Sequence, residues 1–217
     1  GSNGFFVQVP PSEQGSYEAD FSGLFVYTGG APQVAVGELI SITAAKVENF
    51  FGQIELVDPV ITKSSSGNPL PPLEPVSPAD VRTGGPRAAA LEGVLVELSN
   101  LFVTGHEAQY NEFFVDTTAG TDPATAGVRV NDYLYLASPL PAVGAKLRAV
   151  RGVLNFRNGD SKVEPRSALD LVAPPPALTA LGPAGQFVRV GQAGSESFPQ
   201  AITVTMGATA TVGAQVL

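Results

Sequence analysis

Half of the twelve basic side chains fall between residues 146 and 166: Lys146, Arg148, Arg151, Arg157, Lys162 and Arg166, against Asp160 and Glu164. Lys146, Arg148 and, less strictly, Arg151 lie opposite Leu147 and Val150 in an alternating run, which places the cations on one face of a strand. Phe156 and Arg157 then sit at a hairpin tip and Lys162 on the return. A cationic face with an aromatic at its end is what single-stranded nucleic acid requires, because phosphates pair with the charges and bases stack on the ring. The candidate ligand-binding set is therefore Lys146, Arg148, Arg151, Phe156, Arg157 and Lys162. The same residues also fit a solvated outer face whose charges pair with Asp160, Glu164 or the acidic N-terminal part, where residues 1–80 carry Lys46 and Lys63 against nine acidic side chains.

Other reactive residue types are sparse. His106, the one histidine, lies in a Gly105-His-Glu-Ala loop with no Asp or Glu placed to build a triad or metal site around it. Asp116, Thr121 and Asp122 offer oxygen ligands but lack the dense acid spacing and central glycine of a calcium loop, and read as turn residues. No catalytic residue, metal site or cofactor is expected. Zero Cys removes disulfides, thiolate-bound metals and a thiol nucleophile together. The net charge of −8 has the wrong sign for a protein whose main task is to grip phosphates. The pairs Phe5-Phe6, Phe50-Phe51 and Phe113-Phe114 each put neighbouring rings on opposite faces of a strand, so one of each pair belongs to a core. The other is either a stacking platform or covered by a loop or by a neighbouring unit.

The elements that must position these residues repeat. Val36-Gly37 opens an alternating run that ends at Asn49-Phe-Phe-Gly52, and Val143-Gly144 opens a second one that ends at Asn155-Phe-Arg-Asn-Gly159. Phe5-Phe-Val-Gln8 precedes the first run and Phe113-Phe-Val-Asp116 precedes the second at nearly the same spacing. Order and spacing conserved together predict a tandem of two β units. Twenty-four Gly and nineteen Pro with 44% hydrophobic residues predict many short strands joined by turns, so the fold class is all-β.

Strands are expected over 4–9, 24–28, 39–47, 53–57 and 60–62 in the first unit. The second is expected to use 91–98 with 100–104 as a long bent strand, then 113–116, 128–130, 146–154 and a short closing strand near 169–172. The Pro- and Ser-rich stretch 58–80 reads as an irregular connector, with a helical turn capped at Ser77-Pro-Ala-Asp80 and another over 87–91. The domains are thus 1–80, 81–175 after a proline boundary at Pro174-Pro-Pro176, and an incomplete tail, 176–217. In the tail, 186–190 and 201–205 alternate like the first strands of a β-sandwich.

Gly4-Phe-Phe-Val-Gln8, Gly23-Leu-Phe-Val-Tyr-Thr-Gly29, Val36-Gly-Glu-Leu39, Glu48-Asn-Phe-Phe-Gly52 and Leu91-Glu-Gly-Val-Leu-Val96 carry a family resemblance over residues 4–175. In this order they resemble the OB-fold-like region that precedes the catalytic domain in secreted bacterial nucleases of the endonuclease/exonuclease/phosphatase group. The resemblance implies tandem OB-fold-like barrels. The tail similarly resembles the start of a bacterial immunoglobulin-like domain, which suits a secreted or cell-surface protein. Two features depart from the family: the strand normally ahead of the Gly-Phe-Phe motif is missing, and no segment resembles the metal-binding nuclease domain. The resemblance thus implies an accessory module that does not hydrolyse. Two functions follow as expectations: a non-catalytic structural or interaction module of an extracellular or cell-surface protein, or an accessory module binding single-stranded nucleic acid. An unpaired edge is an association site, so a further segment, either 201–217 or a neighbouring chain, is expected beside Phe5–Val9. No apolar run reaches the roughly 18 residues of a membrane span, and no basic-then-apolar leader opens the sequence.

Overall fold

The computed structural model describes residues 3–15 and 18–175, and the backbone of 178–181 and 203–206. It is almost entirely strand, with one four-residue helix among the described residues. The chain divides into two compact units, Gly1–Ala173 and Pro174–Leu217.

The first sheet is made of β1 (Gly4–Gln8), β2 (Gly23–Tyr27), β3 (Leu39–Phe50) and β4 (Gln53–Ser65), in the order β1-β2-β4-β3. The β1–β2 and β3–β4 pairs are antiparallel and the β2–β4 pair is parallel. The strand expected to stop at Val57 continues through Pro59 to Ser65, because the long β3 runs beside it and three register shifts absorb the irregularity. Between the sheets lie β5 (Glu74–Pro75) and α1 (Pro78–Val81). The helix starts where a capping box demands it. Ser77 Oγ accepts from Asp80 N, Asp80 Oδ2 accepts from Ser77 N, and Pro78 fills the position that needs no donor. At 87–91 the expected second helical turn amounts to one backbone bond, Leu91 N to Arg87 O.

The second half adds β6 (Leu95–Glu107), β7 (Glu112–Asp116), β8 (Val128–Val130), β9 (Lys146–Arg157), β10 (Asp160–Glu164) and β11 (Leu171–Val172). Its strands follow one another around a ring, β6-β7-β8-β10-β9, which closes where β9 pairs back onto β6. This is the five-stranded closed barrel of an OB-like fold. One strand can serve two neighbours because it bends: Leu95–Phe102 pairs with β9 and Phe102–Glu107 with β7, with Asn100 at φ 57° and a register shift before Gly105. Val96, Leu98, Leu101 and Val103 of β6 point inward onto Phe113, Val115, Val128, Val130, Leu147, Val150, Leu154 and Val163, and with Ala19, Val81, Leu91 and Val94 these form an apolar core cluster.

The first half repeats four of the five barrel strands. β1, β2, β4 and β3 hold the positions of β7, β8, β10 and β9, including the parallel pair β2–β4 against β8–β10. Backbone geometry repeats too, in Gly37 and Gly144 (φ 83° and 85°) and in the turn pairs Phe51-Gly52 and Asn158-Gly159, all four at positive φ. No described strand occupies the position of β6 in the first sheet.

The halves meet backbone to backbone at Gly23 and Gly93, where a Cβ on either would collide with the other chain segment. Around that contact Phe21 N donates to Ala90 O, Leu95 N donates to Gln8 Oε1, and Arg87 bridges Asp20 and Glu74. In the tail, β12 (Leu178–Leu181) and β13 (Thr203–Met206) pair antiparallel. The second expected tail strand thus exists at 203–206, whereas 186–190 lies outside the described residues.

Candidate binding cleft on the closed barrel

The outer faces of β7, β8 and β10 form the floor of a cleft of about 560 Å³. Alternation dictates the floor: in Val128-Arg-Val130 the valines point into the core and Arg129 must point out, as must Lys162 beside Val163 and Glu112 beside Phe113. The walls come from the 3-10 turn Ala108–Tyr110 with Asn111, from Asn131–Tyr133 after β8, and from the β9–β10 turn with Arg157 and Asn158.

Ion pairs organise the floor. Glu112, 1% exposed, accepts from Lys162 through Oε1 and from Arg129 Nη1 through Oε2 at 2.9 Å. Arg129 also meets Asp160 at 3.1 Å and lies 4.7 Å over the Phe114 ring. One edge is held by Asn111 Nδ2 donating to Asp132 Oδ2, the other by the Arg157 guanidinium 4.4 Å over Tyr133. Burial raises the Tyr133 hydroxyl pKa, opposed by Arg157. Behind the wall, Glu164 accepts from Asn131 Nδ2, Asn155 Nδ2 and Tyr133 N, and Asn155 in turn accepts from Gln53 of the first half at 2.7 Å. Burial raises the Glu164 pKa, and its hydrogen-bond donors oppose that shift.

Only Arg157 and Lys162 of the six sequence candidates line this cleft. Lys146 and Arg148 are exposed further along β9, with Lys146 5.4 Å over Phe102. Arg151 is held by Glu97, its Nε donating at 2.6 Å. Phe156 packs on Gly52 of the first half, at a distance where a Cβ would not fit. The six candidates are thus distributed: two line the cleft, two are exposed further along β9, one is ion-paired and one packs on the first half. Sequence reasoning missed Glu107, Tyr110, Asn111, Glu112, Arg129, Asn131, Asp132, Tyr133 and Asn158 as cleft residues, and named Asp160 only as an ion-pair partner. The Val-Arg-Val alternation was the one available signal, since the rest converge only through strand pairing.

The remaining candidates have local roles. His106 Nε2 donates to Pro141 O at 2.7 Å. Asp116 and Asp122 each accept a backbone N–H two residues on, at Thr118 and Ala124, and Thr121 Oγ1 donates to Thr118 O. Among the described residues no three His, Asp or Glu side chains converge as metal ligands, and no helix is long and apolar enough to cross a membrane. Phe113 and Phe114 are both buried, Phe114 beneath Arg129, whereas Phe50 and Phe51 at the first-half turn are exposed.

Three cations, Arg129, Arg157 and Lys162, face four carboxylates, Glu107, Glu112, Asp132 and Asp160, so the cleft sums to slightly negative. It offers mixed donors and acceptors with an exposed Tyr110, a lining suited to polar groups and poorly suited to a run of phosphates. No protein-family model, curated protein or solved structure matches the chain.

Proposed function

We propose that this chain is a non-catalytic interaction module of a secreted or cell-surface multidomain protein. The observation that supports it is that three of the six cations between 146 and 166 are ion-paired, Arg151 with Glu97, Lys162 with Glu112 and Arg166 with Asp170, and that the neighbouring Arg129 pairs with Glu112 and Asp160. Cations already neutralised by carboxylates release few counterions on meeting a nucleic acid, so they contribute little affinity. The excess of carboxylates in the cleft and the net charge of −8 act in the same direction. The expectation of an extracellular or surface setting draws on the resemblance to accessory regions of secreted proteins and on the proline-rich segments at 69–78 and 174–176.

A second reading, accessory binding of single-stranded nucleic acid, draws on the exposed Lys146, Arg148, Phe50 and Phe51. Fluorescence anisotropy of a labelled single-stranded oligonucleotide, titrated at low and at physiological salt, separates the two. The interaction reading expects no binding at either. Salt-sensitive binding that falls when Arg148, Arg151 and Arg157 are neutralised together would establish the nucleic-acid reading in its place.

A further inference from the structure

In the cleft of the closed barrel the floor and the two edges differ in how far their polar groups are already engaged. On the floor, Glu112 is held by Lys162 and Arg129, and Arg129 also meets Asp160. At one edge Asp132 accepts from Asn111 through Oδ2, and neither Asp132 nor Glu107 has a cationic partner among the described residues. At the other edge Arg157 lies over Tyr133 and has no carboxylate partner among the described residues. In the turn that carries Asn111, Tyr110 is 59% exposed. One edge therefore offers acceptors, the other offers donors, and the floor between them is polar.

We propose that this cleft binds a neutral oligosaccharide. Other classes of ligand leave part of the lining unanswered. A polyanion meets four carboxylates against three cations. An apolar body strips water from Arg129 and Asp160 and returns no hydrogen bond. A zwitterion satisfies the two edges but not the floor between them. A peptide strand finds no free ladder, because β8 lies between β7 and β10 and is paired on both sides. Sugar hydroxyls both donate and accept, so a short chain of rings answers Glu107 and Asp132 at one edge, Arg157 at the other and the floor in between. The C–H face of a sugar ring is apolar and stacks on an aromatic side chain, which is the place for Tyr110. The cleft volume of about 560 Å³ falls within the roughly 300–1,000 Å³ of small-molecule sites. Its floor is preorganised as well: Glu112 and Lys162 are buried against each other, so binding has little to order there. The proposal rests on the interaction reading and gives it a ligand class.

The test is amide NMR of the isotope-labelled whole chain, titrated with cellohexaose, maltohexaose, xylohexaose and chitohexaose. Saturable shifts at cleft residues such as Asn111, Arg129, Asp132 and Asn158 are expected with at least one of these sugars. Because the ligand carries no charge, its affinity should change by less than about twofold between low and physiological salt. Tyr110→Ala should weaken that binding about tenfold, whereas Tyr110→Phe keeps the ring and should retain it. Lys146→Ser, outside the cleft, should leave it unchanged. Tyr110 is exposed, so its variants should melt with the parent. The absence of saturable shifts with all of these sugars overturns the proposal, as do shifts centred on Lys146 and Phe102 or a Tyr110→Ala variant that binds like the parent. The oligonucleotide titration is read separately. Failure of the sugars with no oligonucleotide binding strikes the carbohydrate ligand and leaves the interaction reading; salt-sensitive oligonucleotide binding strikes the reading itself.

Discussion

Lys162 is a cation that sequence alone would send to solvent, and the fold buries it against Glu112. Taking both charges out of water is costly, so the pair is held by geometry, with Arg129 as second donor to the same carboxylate. Removing one partner leaves the other buried and uncompensated. Glu112→Ala should therefore cost about 3–5 kcal/mol in denaturant unfolding, and Glu112→Leu with Lys162→Met should recover most of that loss. Glu92 shows the opposite situation. Burial pushes its carboxyl up to about 7 from an ordinary 4.5, and its Oε1 has no hydrogen-bond partner among the described residues. A carboxyl whose folded pKa is raised holds a proton that the unfolded chain has already released. Its stabilisation is complete below pH 4.5 and declines as pH rises towards 7. Melting midpoints measured across that window should fall with pH in the parent, and Glu92→Gln should flatten that part of the profile.

At the scale of elements, the hairpins β3–β4 and β9–β10 come from nearly the same pattern and end in different environments. Both turns need two residues at positive φ; Asn158-Gly159 meets that cheaply, whereas Phe51-Gly52 places a bulky side chain in the left-handed region and leaves it 76% exposed. Leu154 faces Val163 as Val47 faces Leu56, yet Leu154 is buried and Val47 exposed, which makes the energetic difference measurable. Leu154→Ala should cost about 2–5 kcal/mol, since it opens a cavity in a packed core. Val47→Ala should stay within about 0.5 kcal/mol, as a surface change does. Comparable losses at the two sites would mean that Val47 is covered in solution.

At the scale of the whole molecule, the first sheet lies within the same compact unit as the closed barrel. It gains burial from that neighbour: Phe25 reaches the Tyr133 ring at 6.4 Å, Gln53 bonds Asn155, and Gly23 abuts Gly93. Gly93 sits at φ 80° with no room for a Cβ, so Gly93→Ala strains the backbone and separates the halves together. The variant should melt several degrees lower than the parent, and circular dichroism should report the loss of both sheets in one transition. A separate low-temperature transition of the first sheet alone would show instead that the halves fold independently.

The all-β class, the tandem duplication, the capped turn at Ser77 and the outward cations of β9 follow from the sequence by itself. Each is local: a period of two, a recurring turn, a side chain that bonds three residues away. Alternation also states which residues leave the core, as in Val128-Arg-Val130, but not what they meet outside it. The tertiary structure alone decided that Arg151 and Lys162 are paired, that Phe156 seals the joint between halves, and that Tyr110, Glu112, Arg129 and Tyr133 share a cleft with Arg157. Those neighbours are brought together by strand pairings such as Lys162 beside Arg129 and Phe113 beside Val130. It likewise decided that Leu154 is core and Val47 is not. Closure of a barrel depends on a strand far along the chain, which no local pattern encodes.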